Sequence, residues 1–194
     1  MMISHNVKNS DDLFVYEYDI SNELNFEELR TACLEYKQSH PNHKHKKLHN
    51  AFMSGFNLHR ETDKFKTLIQ LIEQKTQEHI DPVVKDIGIK AKFVVQESWI
   101  VMYNKFGFVE NHGHFPFGYS AVCYITANNT SNIQFHDIEL TPKQGMLLLF
   151  PGGLSHKVKP VTIHHGERIT FACNLYPNFE YTNFEKLNKH FNVK

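Results

Sequence analysis

From residue 91 onward the chain is a series of short strand-forming segments, and this series limits the possible folds more than any other feature. A long segment over 92–104 comes first and leads through a loop at Gly107 to His112. Shorter segments follow at 118–126, 132–135, 145–150, 156–158 and 168–175. Turns rich in Asn, Pro and Gly separate them. Strands this short and regular predict a mainly β fold, a jelly-roll barrel or double-stranded β-helix, with helices packed on one outer side.

The length of the chain indicates how the barrel is completed. At 194 residues and 22.7 kDa, the chain is large enough to bury about 70% of its unfolded surface without disulfides, which predicts a single domain over 1–194. Residues 1–90 would supply support helices and a strand at 13–20 that adds to a sheet edge. The barrel core would cover 91–177, and 178–194 would form a C-terminal tail.

Two helices are predicted before the barrel. The first spans 25–38, where an Asn N-cap and a Glu three residues later have the form of a capping box, and apolar residues recur at helical spacing. The second spans 62–80, with Thr62 as its N-cap and Pro82 marking its end.

Charge and cysteine content exclude several classes of partner and location. The 21 basic and 21 acidic residues give no electrostatic footprint for nucleic-acid binding, so nucleic acid is not an expected partner. Cys33, Cys123 and Cys173 are widely spaced and lack a CxxC pair, which predicts buried, reduced thiols. The N-terminus lacks a signal-peptide core, and no stretch approaches about 18 apolar residues. We therefore predict a soluble, cytoplasmic protein without membrane contact, and no pattern indicates its oligomeric state.

Three histidines in the barrel region have the spacing of a metal site. His112 and His114 lie two residues apart, which places both imidazoles on one face of a strand. His156 follows 42 residues after His114 and would close the triangle from a distant strand. Arg168 and Thr170 alternate on a later predicted strand, so a guanidinium and a hydroxyl share one face, suited to gripping a carboxylate.

The order and spacing of five pieces carry a resemblance to a known family. They are Tyr103-Asn-Lys-Phe-Gly107, His112-Gly-His114, Ser120-Ala-Val-Cys-Tyr124, the Leu-Phe-Pro run before His156, and Arg168-Ile-Thr170. Together they resemble the iron(II)/2-oxoglutarate-dependent oxygenases, above all small members whose first motif reads His-x-His. The resemblance covers roughly residues 93–176, about half of the chain.

The resemblance implies a metal, two cosubstrates and a reaction. Fe(II) would be held by His112, His114 and His156, with 2-oxoglutarate and O2 as cosubstrates. The implied reaction is hydroxylation of a substrate C–H bond coupled to oxidative decarboxylation of 2-oxoglutarate to succinate and CO2. The iron carries the difficult chemistry while the protein supplies ligation, orientation and exclusion of water. The substrate, a small molecule or a protein side chain, is not identified by the sequence.

The same resemblance implies a cosubstrate-binding set. Arg168 would bind the far C5 carboxylate of 2-oxoglutarate, with Thr170 standing where the family often has Ser. Tyr124 resembles the strand tyrosine that donates to this carboxylate in prolyl hydroxylases. Tyr103 would lie near the keto-acid end.

One departure from the family concerns the third metal ligand. Most members have His-x-Asp or His-x-Glu, whereas His114 stands at the carboxylate position here. Three outcomes are open: a three-histidine site, a two-histidine site with water, or a carboxylate such as Asp137 reaching in from another strand. We favour three histidines, which would leave the site one unit more positive than in the family.

The cupins, which share the barrel, offer an alternative enzyme class. Gly145-x5-Pro151-x-Gly153-x2-His156 resembles the second cupin motif, and His112-x-His114 resembles the start of the first, whose following Glu is missing. That pattern would suit a three-histidine metal dioxygenase or isomerase that does not use 2-oxoglutarate. Arg168-Ile-Thr170 is the discriminator, because a cupin has no standing need for it.

A third hypothesis is a non-catalytic jelly roll that binds a sugar or a protein partner. Aromatic residues cluster in sequence around the histidine pair and could form a binding rim: Phe106, Phe108, Phe115, Phe117 and Tyr119.

The His-rich segment and Arg168 each have a purely structural interpretation as well as a functional one. The basic, His-rich residues 41–50 could form a second metal site, although a solvated loop is the simpler expectation. Arg168 could pair with Glu139 or Glu167 at the surface instead of serving a ligand.

Overall fold

The computed structural model describes residues 2–6, 14–41, 47–85, 89–127, 131–162 and 167–181. Its helical elements are α1 (Phe26–Ser39), α2 (Leu58–Glu61), a 3-10 turn (Asp63–Phe65) and α3 (Lys66–Lys85). Its strands are β1 (Met2–Asn6), β2 (Phe14–Asp19), β3 (Leu48–Met53), β4 (Ile89–His112), β5 (Tyr119–Thr126), β6 (Ile133–Phe135), β7 (Ile138–Leu140), β8 (Met146–Pro151), β9 (His156–Val158) and β10 (Arg168–Tyr181). Among these described helices, none is long and apolar enough to cross a membrane.

The strands form one antiparallel sheet that is connected by long crossovers. Its order is β1-β2-β8-β5-β10-β4-β9-β6-β7, and β3 pairs with β4 beside this path. Several neighbours in the sheet are therefore distant in the chain, since β10 lies between β5 and β4. The predicted mainly β fold with flanking helices is confirmed.

The helices cover one face of this sheet. Phe26, Leu29 and Cys33 of α1 and Leu68 and Ile72 of α3 belong to one buried apolar cluster. Strand residues from β4, β5, β8 and β10 complete that cluster. A second cluster fills the opposite face, within the curve of the sheet, and borders a cavity. Apolar burial on both faces thus fixes the position of the cavity relative to the helices.

Both helix starts that the sequence predicts are present. The Asn25 side chain accepts hydrogen bonds from the backbone N–H groups of Glu27 and Glu28, and its amide donates to the Glu28 carboxylate at 2.8 Å. Thr62 accepts from the backbone N–H of Lys64, but it caps the 3-10 turn that leads into α3.

The predicted end of the second helix is wrong, because α3 continues through Pro82 to Lys85. Pro82 removes one backbone donor close to the C-terminal end, where few intrahelical bonds remain to be lost.

Several predicted strand limits are wrong. Gly107 lies within β4, which continues to His112 instead of opening into a loop. β3 lies close to β4 at this point, where Phe106 has a positive φ of 63° and a Cβ at Gly107 would lie 2.6 Å from the Asn50 carbonyl oxygen.

β2 is not an edge strand, because β1 pairs on its outer side. β10 continues to Tyr181, into the predicted tail, whose residues 182–194 lie outside the described ones.

Candidate metal centre

Three histidine side chains meet at one end of the curved sheet. His112 ends β4 and pairs in register with His156 at the start of β9, while His114 follows β4 by two residues. One ligand nitrogen from each ring lies within 4.8 Å of the others. The ring centroids are 4.3 to 5.1 Å apart. The structure therefore brings together the three residues that the sequence predicts as metal ligands, in an arrangement that one ion could bridge.

A close backbone approach holds His114 beside the β8–β9 turn. The backbone N–H of His114 donates to the Gly152 carbonyl at 2.6 Å. A Cβ at Gly152 would lie 2.2 Å from the Phe117 carbonyl oxygen, so only glycine fits at this turn. The Pro-Gly-Gly sequence before His156 is thereby explained by packing against the His-x-His segment.

Backbone carbonyls orient two of the three rings. Nδ1 of His112 lies 2.8 Å from the Glu110 carbonyl oxygen, and Nδ1 of His156 lies 3.0 Å from the Leu154 carbonyl oxygen. Because a carbonyl only accepts, each Nδ1 carries the proton and donates it. In this tautomer Nε2 is the nitrogen that carries the lone pair, as in metal-ligating histidines whose other nitrogen is held by a hydrogen bond.

Burial keeps His114 and His156 neutral. Burial first, then the neighbouring His112 and His114, lowers the pKa of His156 well below its ordinary value. Burial, His112 and then Lys47 lower the pKa of His114 to about 3. Neutral imidazole is the form that binds a metal, so these two rings do not require deprotonation near neutral pH.

The third-ligand alternatives differ in how well they fit the geometry. Asp137 is exposed in the β6–β7 turn and is not part of the histidine cluster. Over the described residues, the only group of potential ligands that lies close enough to share an ion is the three histidines. This arrangement favours the three-histidine site over the carboxylate alternative.

Arg168 lies buried deeper in the same cavity, with only 1% of its surface exposed. Its Nη1 donates to the Ser131 carbonyl and hydroxyl at 2.7 and 2.8 Å. Its guanidinium carbon lies 5.0 Å from the Tyr103 ring centre and 5.4 Å from that of Tyr124. The surface-pairing alternative is wrong, because Glu139 pairs with Lys159 and Glu167 pairs with Arg30.

Three polar atoms at this end of the cavity are buried without a protein partner. They are Nε and Nη2 of Arg168 and the hydroxyl of Tyr124. A buried donor without an acceptor destabilises the folded state by about 1–3 kcal/mol, more when it is charged. Burial raises the pKa of both Tyr103 and Tyr124, so each phenol stays protonated and can donate. The chemistry of this donor set fits a carboxylate.

A single cavity of about 390 Å³ connects the two groups and is lined by all seven predicted site residues. The register of β4, β10 and β5 arranges part of its wall in successive cross-strand rows. Tyr103 pairs with Arg168, and Thr170 lies between Val101 and Tyr124.

The wall includes a polar row that sequence reasoning missed. Glu97 pairs in register with Asn174, which pairs with Ser120. The signal was available in the period of two along each strand, because Glu97 is six residues before Tyr103 and Asn174 is six residues after Arg168.

The predicted aromatic rim is only partly present. Phe115 and Phe117 line the cavity, and Phe115 is 88% exposed. Phe108 instead stacks on His49, and Tyr119 packs edge-on against Phe93. His49, in β3, also bonds to Glu110, whereas His43 and His45 of the His-rich segment lie outside the described residues.

No family model matches the chain, and no curated protein matches it either. Solved structures do share its fold. The viral collagen prolyl hydroxylase of Paramecium bursaria Chlorella virus-1, in complex with 2-oxoglutarate, matches 83% of this chain and 94% of its own at a TM-score of 0.58 and 17% identity. A Pseudomonas putida prolyl-4-hydroxylase matches 84% of this chain and 91% of its own at a TM-score of 0.57 and 15% identity.

A third similar structure is HygX of Streptomyces hygroscopicus with nickel and 2-oxoglutarate bound. It matches 84% of this chain and 83% of its own at a TM-score of 0.56 and 10% identity. The predicted jelly-roll fold is confirmed by these likenesses. The resemblance to the iron(II)/2-oxoglutarate oxygenases, first seen in the motifs, is confirmed at the level of the fold.

Proposed function

We propose that this protein is an iron(II)- and 2-oxoglutarate-dependent oxygenase that hydroxylates a C–H bond of its substrate. One observation carries the proposal: a cluster of three histidines and a buried arginine with two unpartnered donors share one cavity. The structures that share the fold include complexes with 2-oxoglutarate and with a metal bound.

His112, His114 and His156 are the residues that would hold the iron. When bound, iron and 2-oxoglutarate supply the activation of O2, with decarboxylation of the 2-oxoglutarate. The overall reaction converts R–H, O2 and 2-oxoglutarate into R–OH, succinate and CO2, so one oxygen atom enters the substrate and the other enters succinate. The neutral histidines leave the charge of the metal uncompensated, which favours an anionic cosubstrate beside it.

Arg168 is the residue that would hold the distal carboxylate of 2-oxoglutarate. Its Nη1 is already occupied by Ser131, so Nε and Nη2 form the free edge of the guanidinium fork. The Tyr124 hydroxyl supplies a further donor, and the Tyr103 ring flanks the guanidinium. Thr170, which is 3% exposed, offers its hydroxyl in the next row. A dicarboxylate at this position would satisfy every unpartnered atom of the described site.

The surrounding apolar side chains exclude water from the reacting groups. Phe135 and Phe150 are fully buried and lie with ring centroids 5.4 and 4.8 Å from that of His156. Low polarity on this side strengthens the charge interactions that hold a bound anion. A cupin-type enzyme or a non-catalytic binder would not require the buried, half-satisfied guanidinium, and this favours the oxygenase.

The test is anaerobic reconstitution with Fe(II) followed by turnover in air, with succinate measured by NMR. We expect succinate only when Fe(II), O2 and 2-oxoglutarate are all present.

His156→Ala should weaken Mn(II) binding at least about 100-fold, as measured by electron paramagnetic resonance. The loss of a metal ligand should exceed the effect of losing a residue that only orients a ligand. His40→Ala, at the C-cap of α1 and outside the cavity, is the matched control and should bind Mn(II) normally.

Two results would overturn the proposal. One is Mn(II) affinity that His156→Ala leaves unchanged. The other is a metal-loaded protein that neither binds 2-oxoglutarate nor releases succinate from it. Consumption of O2 on an organic substrate in the absence of 2-oxoglutarate would instead support the cupin-type alternative.

A further inference from the structure

The cavity carries an acidic group in its wall, far from Arg168. Glu97 lies on the cavity face of β4, and its Oε2 accepts a hydrogen bond from the Asn174 amide at 2.8 Å. Asn174 is itself fixed by the Ser120 hydroxyl, which donates to its Oδ1 at 2.8 Å. Both of these partners are 2% exposed. The Glu97 carboxylate is therefore held in place by a buried polar row.

Glu97 has no basic partner in the part of the chain that the structure describes. Its described hydrogen bond is the one from Asn174, and no lysine or arginine pairs with it. It is also the only carboxylate among the described residues that line the cavity. An anchored carboxylate that faces a cavity without a counter-ion favours a cationic ligand.

Aromatic rings stand beside this carboxylate. Trp99 is the next residue on the same face of β4, and Phe56 packs edge-on against it with ring centroids 5.2 Å apart. The Trp99 ring centroid also lies 5.5 Å from that of His114. Aromatic faces next to a carboxylate are the usual surroundings of a bound ammonium group, to which the rings add cation–π attraction.

The two charged groups of β4 and β10 lie at opposite ends of the cavity. Arg168 and Asn174 are six residues apart on β10, which corresponds to about 20 Å along a strand. A 2-oxoglutarate held by Arg168 would thus leave the Glu97 end free. Lys47, the third charged residue of the lining, lowers the pKa of His114. Glu97 acts on His59, where it partly offsets the lowering of the pKa by burial.

We infer that the substrate of the hydroxylation carries a cationic nitrogen, held by Glu97 and the Trp99 and Phe56 rings. The hydroxylation in this inference rests on the proposed function, whereas the binding of the cationic nitrogen rests on Glu97 and the residues that anchor it, Asn174 and Ser120. The nitrogen belongs either to a small alkylamine or to a lysine-like side chain in a peptide.

The experiment uses Trp99, the only tryptophan of the chain, as its reporter. The full-length protein, loaded with Mn(II) and 2-oxoglutarate without O2, is titrated with n-butylammonium and with Nα-acetyl-lysine N-methylamide. Their neutral counterparts are n-butanol and Nα-acetyl-norleucine N-methylamide. We expect saturable quenching of Trp99 fluorescence by a cation, with at least about tenfold weaker binding of its neutral counterpart. The stronger of the two cations identifies the source of the nitrogen.

Glu97→Gln is the decisive variant, because its amide oxygen still accepts from Asn174 while the charge is lost. It should bind the cation at least about tenfold more weakly than the unmodified protein. Glu139→Gln removes the same charge outside the cavity and should bind it normally. Thermal unfolding of both variants checks that the fold is retained.

Equal affinity for cation and neutral counterpart, or unchanged cation binding by Glu97→Gln, would overturn the inference. The two proposals fail separately. Succinate release from 2-oxoglutarate without cation binding would overturn only the substrate class. Cation binding at Glu97 in a protein that does not bind 2-oxoglutarate would overturn only the oxygenase.

Discussion

The two faces of strand β10 show how one segment serves stability on one side and ligand binding on the other. Ile169, Phe171, Cys173 and Leu175 point into the core beneath the helices, and all four are fully buried. The alternate residues Arg168, Thr170, Ala172 and Asn174 line the cavity and are buried almost as deeply. Burial therefore does not distinguish the two faces, whereas the satisfaction of polar atoms does.

The difference has an energetic meaning. On the helix-packed face, buried side chains are apolar and gain stability from removal of their surface from water. On the cavity face, Arg168 is charged and has two donors without a partner, which opposes folding in the absence of a ligand. A ligand that accepts from these donors would offset that cost, so mutations on the two faces should separate stability from binding.

The largest expected effect is that of Phe171→Ala, on the helix-packed face. Phe171 is 0% exposed and stacks against Phe65 with ring centroids 5.5 Å apart. Removing its ring should lower the free energy of unfolding by about 3–5 kcal/mol, measured by urea denaturation.

Phe171→Leu keeps most of the apolar volume and should cost about 1 kcal/mol. It serves as the reference if the alanine variant does not fold. Retained 2-oxoglutarate affinity in this variant, measured by isothermal titration calorimetry with Mn(II), would support the separation of the faces. A loss of 2-oxoglutarate affinity as large as that of a cavity-face variant would contradict this separation.

Arg168→Met should show the opposite behaviour. The affinity for 2-oxoglutarate should fall by about 2–5 kcal/mol, because the carboxylate loses its charged partner in a buried site. Methionine has similar length and no unsatisfied donors, so the free energy of unfolding without ligand should stay the same or rise. Calorimetric titration and urea denaturation measure the two quantities on the same preparation. Destabilisation comparable to that of Phe171→Ala would contradict the assignment of Arg168 to ligand binding.

The alternation that separates these faces could be predicted from the sequence, and so could the placement of the candidate site residues on one of them. A strand has a period of two whatever it packs against, so Arg168 and Thr170 were placed on one face correctly. The His112 and His114 pair followed from the same rule. His156 was found because the Gly145, Pro151 and Gly153 that precede it resemble a known metal motif, and the packing of Gly152 against Phe117 and His114 gives that context a physical cause.

Features that depend on pairing between distant segments could not be predicted. β7 has three residues, too few for a visible period. β3 begins at Leu48, inside the basic His-rich residues 41–50, so the expected loop is wrong over 48–50. Gly107 suggested a turn, although its role is to admit the β3 backbone beside β4. The period of two along β4 could have placed Glu97 on the cavity face, but its anchoring by Asn174, 77 residues later in the chain, could not be predicted.

The smallest expected effect tests the helix-packed face through pH. Cys123 pairs in register with Phe171 and is fully buried, and burial raises the pKa of its thiol from 9.0 to about 12. The unfolded chain therefore loses this proton at a lower pH than the folded chain. The stability that the buried thiol contributes is fully present below about pH 9 and is lost as the pH rises towards 12. This loss corresponds to about 1 kcal/mol between pH 9 and 10. Urea denaturation across this interval should show a smaller decrease for Cys123→Ala than for the unmodified protein, whatever the difference in their absolute stabilities. Equal decreases would mean that the thiol ionises as readily in the folded protein as in the unfolded one, and hence that water reaches this face of the sheet as it reaches the cavity.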